Sequence, residues 1–233
     1  MDELFGISVE WLMGSIDATR PHEITQGQAW HGRFMLLAWG ICIPFGILIA
    51  RYLKVTPSQN WPDELDNKFW WRSHLILQIG GTSIMLLALG IILTFGNSDT
   101  SGQTNWHGWV GWTIIALACM QITSGYLRGS KGGPTDPSAE GKLHGDHYDM
   151  TPRRVLFEKF HKTVGYLLLL GGACGVLHGM WTANAPRWMF VCIITFWSLL
   201  AISVFIMSRR FVIKSSYHAI WGPDPNLPGN QEG

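Results

Sequence analysis

Five stretches of this chain carry no Asp, Glu, Lys or Arg: residues 34–50, 73–98, 100–127, 163–186 and 188–208. A hydrocarbon core of about 30 Å takes roughly 20 helical residues to cross. Four of the stretches reach that length unaided, and the first does so if Arg51 extends its guanidinium to the headgroups. Backbone polar groups must pair internally in lipid and no barrel-like alternation is present, so the stretches read as helices. Five buried helices of a soluble bundle would each show a polar face at the helical period, and none does. The expected fold is all-α and integral to a membrane, with five transmembrane helices over about 31–53, 71–95, 106–127, 159–182 and 187–209. The first four are expected to form a four-helix bundle.

Lys and Arg give these helices a direction. Arg51, Lys54, Lys68 and Arg72 lie between the first two helices, and Arg128, Lys131, Lys142, Arg153, Arg154 and Lys159 between the third and fourth. Arg209, Arg210 and Lys214 follow the fifth, which makes thirteen on one side. Only Arg20, Arg33 and Arg187 fall on the other. The N-terminus is therefore expected outside and the C-terminus inside. Residues 1–30 read as an outer, periplasmic segment, 31–210 as the transmembrane domain and 211–233 as a cytoplasmic tail, in a bacterial inner membrane. Phe5 to Met13 is amphipathic, and reads either as a surface-lying segment or as a tail ordered by a partner. The tail beyond Trp221 is rich in Gly and Pro and reads as extended or mobile.

A net charge of +1 without a basic tract gives no reason to expect nucleic acid as a partner. Cys42, Cys119, Cys174 and Cys192 all sit in apolar stretches and read as packing residues, not a disulfide framework. There is no CxxCH for a covalent haem, and the opening MDELFG gives no expectation of a removable leader.

Histidines mark the helix starts. His31, His74, His107 and His161 open the first, second, third and fourth helices. Consecutive helices alternate in direction, so His31 and His107 share the outer depth, and His74 and His161 the inner. Each pair comes from helices one apart in sequence, the diagonal of a bundle. A porphyrin standing edge-on in a bundle core takes one imidazole from each side, and this arrangement offers that twice. Gly40, Gly80, Gly81, Gly111 and Gly165 fall one or more turns after these histidines. They serve either to clear a macrocycle or to let helices approach closely.

His31-Gly-x-x-Met35-x-x-x-Trp39-Gly40, followed by Pro44 and Arg51-Tyr52, resembles the first core helix of the cytochrome b561 domain. The similarity is to the form that eukaryotes fuse to an extracellular DOMON domain. His74-x-x-x-Gln78-x-x-Gly81, His107-x-x-x-Gly111 with Gln121-x-x-x-Gly125-x-x-Arg128, and His161-x-x-x-Gly165 resemble the next three helices in order. The resemblance implies two haem b groups, each with iron held by two histidines, and transmembrane electron transfer. Neither a DOMON domain before the core nor the extra helix of the ascorbate-dependent members is expected. Arg72, with Arg153 or Arg154, occupies the place of their ascorbate-binding basic residues, and reads here as a set of inner anchors or haem-propionate partners.

Arg33 and His178 join Arg72 and Arg154 as candidates for propionate or substrate contact; His178, with no partner visible in the sequence, reads otherwise as a quinone contact or, more simply, as a hydrogen-bonded structural residue. His144 and His147 fit no standard zinc spacing, and their long loop, 129–158, reads as a cover for the inner haem. Tryptophans at the helix ends form the interfacial belt. The expected function is electron transfer between a periplasmic or membrane redox partner and quinone. The alternatives are a stand-alone ferric or ascorbate-type reductase and, of another class, a redox-inactive transporter or scaffold. Transporters usually break a helix or pair charges near the midplane, and this chain offers only Pro44, which suggests a kink.

Overall fold

The computed structural model describes residues 3–4, 7–96, 104–136, 143–210 and 214–231. A short antiparallel pair, β1 (Glu3–Leu4) and β2 (Ile7–Ser8), leads into α1 (Val9–Met13). Five long helices follow: α2 (Gln26–Tyr52), α3 (Phe69–Phe95), α4 (Thr104–Tyr126), α5 (Pro152–Thr182) and α6 (Arg187–Arg210). The short α7 (Ser216–Trp221) and a 3-10 turn (Pro228–Asn230) close the described chain. Helices α2, α3, α5 and α6 are each long and apolar enough to cross a membrane. Helix α4 has 23 residues but is diluted by Trp, Thr, Gln and Ser. Ile76, Leu93, Leu170, Leu199 and Phe205 all point outward and exposed. Such a continuous apolar exterior suits lipid rather than water.

Helix α2 begins five residues before the sequence-based start because Thr25 caps it. The Thr25 hydroxyl accepts from the Gln28 amide, and the Gln28 side chain accepts from the Thr25 amide, a reciprocal capping box. Over Leu36–Cys42 the helix widens into π turns. Pro44 explains the position: it has no N–H, and its ring crowds the carbonyl four residues back, that of Gly40. The indole Nε1 of Trp197 on α6 donates to that freed carbonyl at 3.4 Å.

Contacts at both ends of each hairpin establish antiparallel pairs, α2 with α3 and α4 with α5. His31 near the start of α2 meets Ala88 near the end of α3, and His74 near the start of α3 meets Gly46 late in α2. His161 on α5 meets Ser124 on α4, and His107 on α4 meets His178 on α5. Between these levels lies a core of Ala38, Trp39, Ile43, Met85, Ile114, Ile115, Ala118 and Leu168. The Trp39 ring lies flat against Gly172 of α5, where any side chain would collide with it.

Each end of the bundle carries a cap. On one end, Arg187 stacks on Trp11 and donates to its carbonyl, holding α1, while the fully buried Asn184 clamps residues 17–21. Of the amphipathic stretch, Phe5 lies outside the described residues, and Val9, Trp11 and Met13 are exposed. On the other end, residues 143–151 and α7 pack together: Tyr217, Ile220 and Trp221 are buried against Trp70, Tyr148, Met150 and Leu227. The segment after Trp221, expected to be extended or mobile, instead turns back. Leu227 packs on this cluster, and Asn230 donates to the carbonyls of Gly222 and Asp224.

Candidate functional site

His31, His74, His107 and His161 form two pairs, although His161 lies well inside α5, which begins at Pro152. Ring centres of His31 and His107 lie 6.3 Å apart, and those of His74 and His161 also 6.3 Å. A metal–imidazole bond is about 2 Å long. Two such bonds, plus the nitrogen-to-centre distance in each ring, span about 6 Å, the separation seen in both pairs. The rings are steeply inclined within each pair, at 82° and 66°.

Hydrogen bonds decide which nitrogen of each ring is left over. Nδ1 of His31 lies 3.0 Å from the carbonyl oxygen of Ala88, and Nδ1 of His74 lies 3.0 Å from that of Gly46. A carbonyl only accepts, so both Nδ1 atoms carry the proton and both Nε2 atoms keep a lone pair. Nδ1 of His161 lies 3.2 Å from the Ser124 hydroxyl. That hydroxyl donates its own proton to the Gln121 carbonyl at 2.8 Å, so it accepts from His161 and leaves Nε2 bare again. Nδ1 of His107 meets Nδ1 of His178 at 3.4 Å. No hydrogen bond engages Nε2 of the four histidines among the described residues. A neutral imidazole with Nδ1–H held by an oxygen is the form that ligates a metal through Nε2. The donor set therefore fits haem iron at both levels.

Sequence reasoning missed the groups that orient these rings. Backbone carbonyls leave no signature in a sequence, although Ser124 lies within a recognised motif, three residues after Gln121. Two glutamines brace the hairpins: Gln78 donates to the Ile43 carbonyl at 3.0 Å, and Gln121 to the His161 carbonyl at 2.7 Å. Among the glycines, a side chain on Gly80 or Gly111 would meet open space. One on Gly165 would press on Gln121, one on Gly81 on Cys42, and one on Gly40 on Leu36. Only the first two leave room beside their helix.

The charged candidates divide. Arg33 is exposed and stacks on Trp30, and Arg72 is exposed at the start of α3. Arg154 is buried and paired with Glu158 at 3.1 Å, two turns before His161 on the same face of α5. Phe157 lies between them, 5.1 Å from the His161 ring and beneath the Arg154 guanidinium. His144 is exposed beside Asp149. His147 is buried against Tyr217 and Trp221. Burial first, then the neighbouring Arg154, pushes its imidazole down to about 3. No group of three or more His, Cys, Asp and Glu side chains that could hold a metal ion occurs among the described residues. All four cysteines are free.

The sequence profile of the eukaryotic cytochrome b561 family matches residues 30–129, which include His31, His74 and His107. An Arabidopsis thaliana protein described as containing cytochrome b561, DM13 and DOMON domains is 31% identical over 71% of this chain. A second, described as a cytochrome b561 and DOMON domain-containing protein, is 26% identical over 64%. Ferric-chelate reductase 1 of Mus musculus is 23% identical over 64%. The chain spans 17%, 31% and 22% of the lengths of these relatives. No solved structure matches. With a profile match that takes in three of these histidines, and 31% identity to a relative over 71% of its own length, the chain belongs to the cytochrome b561 family.

Proposed function

We propose that this chain carries electrons across a bilayer through two b-type haems, held by His31 with His107 near the outer face and by His74 with His161 near the inner. The observation that carries this reading is the pair geometry: two ring-centre separations of 6.3 Å, with Nδ1 of every ring engaged and Nε2 left over. Bound haem would supply one-electron exchange at iron. The four histidines would hold the irons, their rings aimed by the partners of Nδ1, and the core around Trp39 and Met85 would keep water out. Arg154, buried two turns from His161, is suited to an inner propionate.

Helix α4 serves as the fifth span in this reading, since it contacts α5 near both ends. The thirteen-to-three charge asymmetry supports an outer N-terminus, with 31–210 as the membrane domain and the rest as its outer segment and inner tail. The relatives reported are from a plant and a mouse, so the bacterial inner membrane is carried by the sequence reading alone. Electrons would pass between a redox protein at the outer face and quinone. The mouse relative's name favours a second reading, direct reduction of ferric chelates by the chain itself. A reduced-minus-oxidised spectrum tests the core of the proposal: two low-spin b-type components are expected, and their absence overturns it. A stable partner co-purifying from the native membrane supports the first reading, and ferric reduction by the lone chain the second.

A further inference from the structure

The geometry points to His178 as the residue that positions His107, setting which of its nitrogens faces the iron; this rests on the haem reading above. His31, His74 and His161 each hand their Nδ1 proton to an oxygen. His107 has no such oxygen, and its Nδ1 meets a second imidazole instead. The two rings are nearly parallel, at 12°, with centres 5.6 Å apart. That separation exceeds the 3.4 Å between the nitrogens by about the width of one ring. Both nitrogens therefore lie close to the line joining the centres. The rings meet edge to edge, as an in-plane hydrogen bond requires, not face to face.

One nitrogen of such a pair donates and the other accepts. For His107 to keep its Nε2 lone pair, its Nδ1–H must donate, so His178 accepts on a bare Nδ1 and carries its own proton on Nε2. Unlike a carbonyl, an imidazole does not impose this choice by itself. Of the four rings, His107 is thus the one whose tautomer is set by another imidazole, which mutation can remove. Gly179 lets the arrangement form, because a Cβ there would come within 3.1 Å of the His107 ring. An acceptor on Nδ1–H raises the basicity of the ligating nitrogen and favours the ferric state. Removing the acceptor therefore raises the potential of the outer haem and leaves the inner one alone.

The test is a potentiometric titration with electron paramagnetic resonance on the holoprotein, comparing the parent with His178→Phe and His178→Gln. Phe keeps a flat ring and deletes the acceptor; Gln deletes the ring and restores an acceptor. The expected result is an upward shift of one of the two components in His178→Phe, with the other unmoved and recovery in His178→Gln. Loss of the outer component in His178→Phe with retention in His178→Gln supports the assignment equally. Two components unchanged in His178→Phe overturn it, as does His178→Gln displaced as far as His178→Phe. Retention of the outer haem in His107→Leu together with its loss in both His178 variants overturns it too, because His178 would then be the ligand. A parent without any low-spin b-type spectrum removes the underlying reading, a result distinct from two parental haems that ignore His178.

Discussion

Nδ1 of His74 donates to the carbonyl oxygen of Gly46 at 3.0 Å, across the α2–α3 hairpin. The same glycine makes room for Gln78, whose amide would overlap any Cβ placed there and which itself donates to the Ile43 carbonyl. One position therefore supplies both the acceptor that orients the His74 ring and the clearance that lets α3 lie close enough to use it.

Gly46→Ala should consequently act on the inner level alone. The added methyl pushes Gln78 and α3 outward, at an overpacking cost of about 1–3 kcal/mol. It lengthens the His74 hydrogen bond as it does so. The expected spectrum retains the outer component and shows the inner one shifted or lost. Both components at their parental positions, in a protein of parental stability, would count against the coupling.

The pairing itself has a double-mutant signature. If His74 and His161 share one iron, His74→Leu and His161→Leu each remove the inner component, and the double variant removes nothing further. His31→Leu combined with His74→Leu draws on both levels, so haem content should fall from about half of the parental value to near zero. Pyridine haemochrome quantitation separates these patterns. A His74→Leu/His161→Leu protein devoid of haem would contradict pairing by depth.

How much of this was legible in the sequence follows from what each feature is made of. Charge-free windows located the five long helices, four of them long and apolar enough to cross a membrane, because burying charge in lipid is so costly. They misjudged α5, which begins at Pro152 and not near 159. Arg153, Arg154 and Glu158 made its first turns look like loop, although Thr151 caps the helix and Pro152 suits its first turn. The pairing of His31 with His107 and of His74 with His161 was legible because helices that alternate in direction bring alternate starts to one end. Their orienting partners were not: Ala88 and Gly46 act through backbone carbonyls, which any residue possesses. His178 was visible only as a solitary histidine until the fold set it against His107. The folded-back tail was hidden because Gly and Pro mark turns without saying what the turns pack on.

Acid should loosen the cap formed by residues 143–151 and α7. His147 titrates at about 3 in the fold, against an ordinary value near 6.5, chiefly because it is buried and next because Arg154 is close. Arg128 and Lys131 add to the positive surroundings, and Glu158 opposes them. A released loop therefore binds more protons than the docked loop between pH 3 and 6.5. Docking is at full strength above about 6.5 and weakens as the pH falls below it, by up to about tenfold per pH unit. The amides of His147 and Tyr148, which donate to the carbonyls of Ser130 and Lys131, report this opening. After correction for intrinsic rates, their hydrogen exchange should be faster at pH 5.5 than at 7.5. His147→Phe should abolish the difference, and a pH-independent parent would refute the prediction.

In the opposite cap one side chain, Asn184, clamps residues 17–21. Asn184 is 2% exposed, and its carboxamide oxygen accepts from the Asp17 amide at 3.0 Å. Its nitrogen donates to the carbonyls of Arg20 at 2.6 Å and Asp17 at 3.1 Å. The backbone there has φ +49°, a left-handed value that Asn tolerates and most residues do not. Asn184→Gly keeps that conformation at no steric cost while removing the bonds to the Asp17 amide and to the carbonyls of Asp17 and Arg20. Each such lost bond costs about 0.5–1.5 kcal/mol. Residues 16–20 should therefore open far more often, and exchange at the Asp17 amide should accelerate by at least about tenfold. His107 and His178 sit on α4 and α5 themselves and do not depend on the clamp, so both haem components should stay where they are. Faster exchange with an unchanged spectrum would identify the outer segment as a separable cover. A simultaneous shift of the outer component would mean that the clamp also sets the geometry of the histidines beneath it.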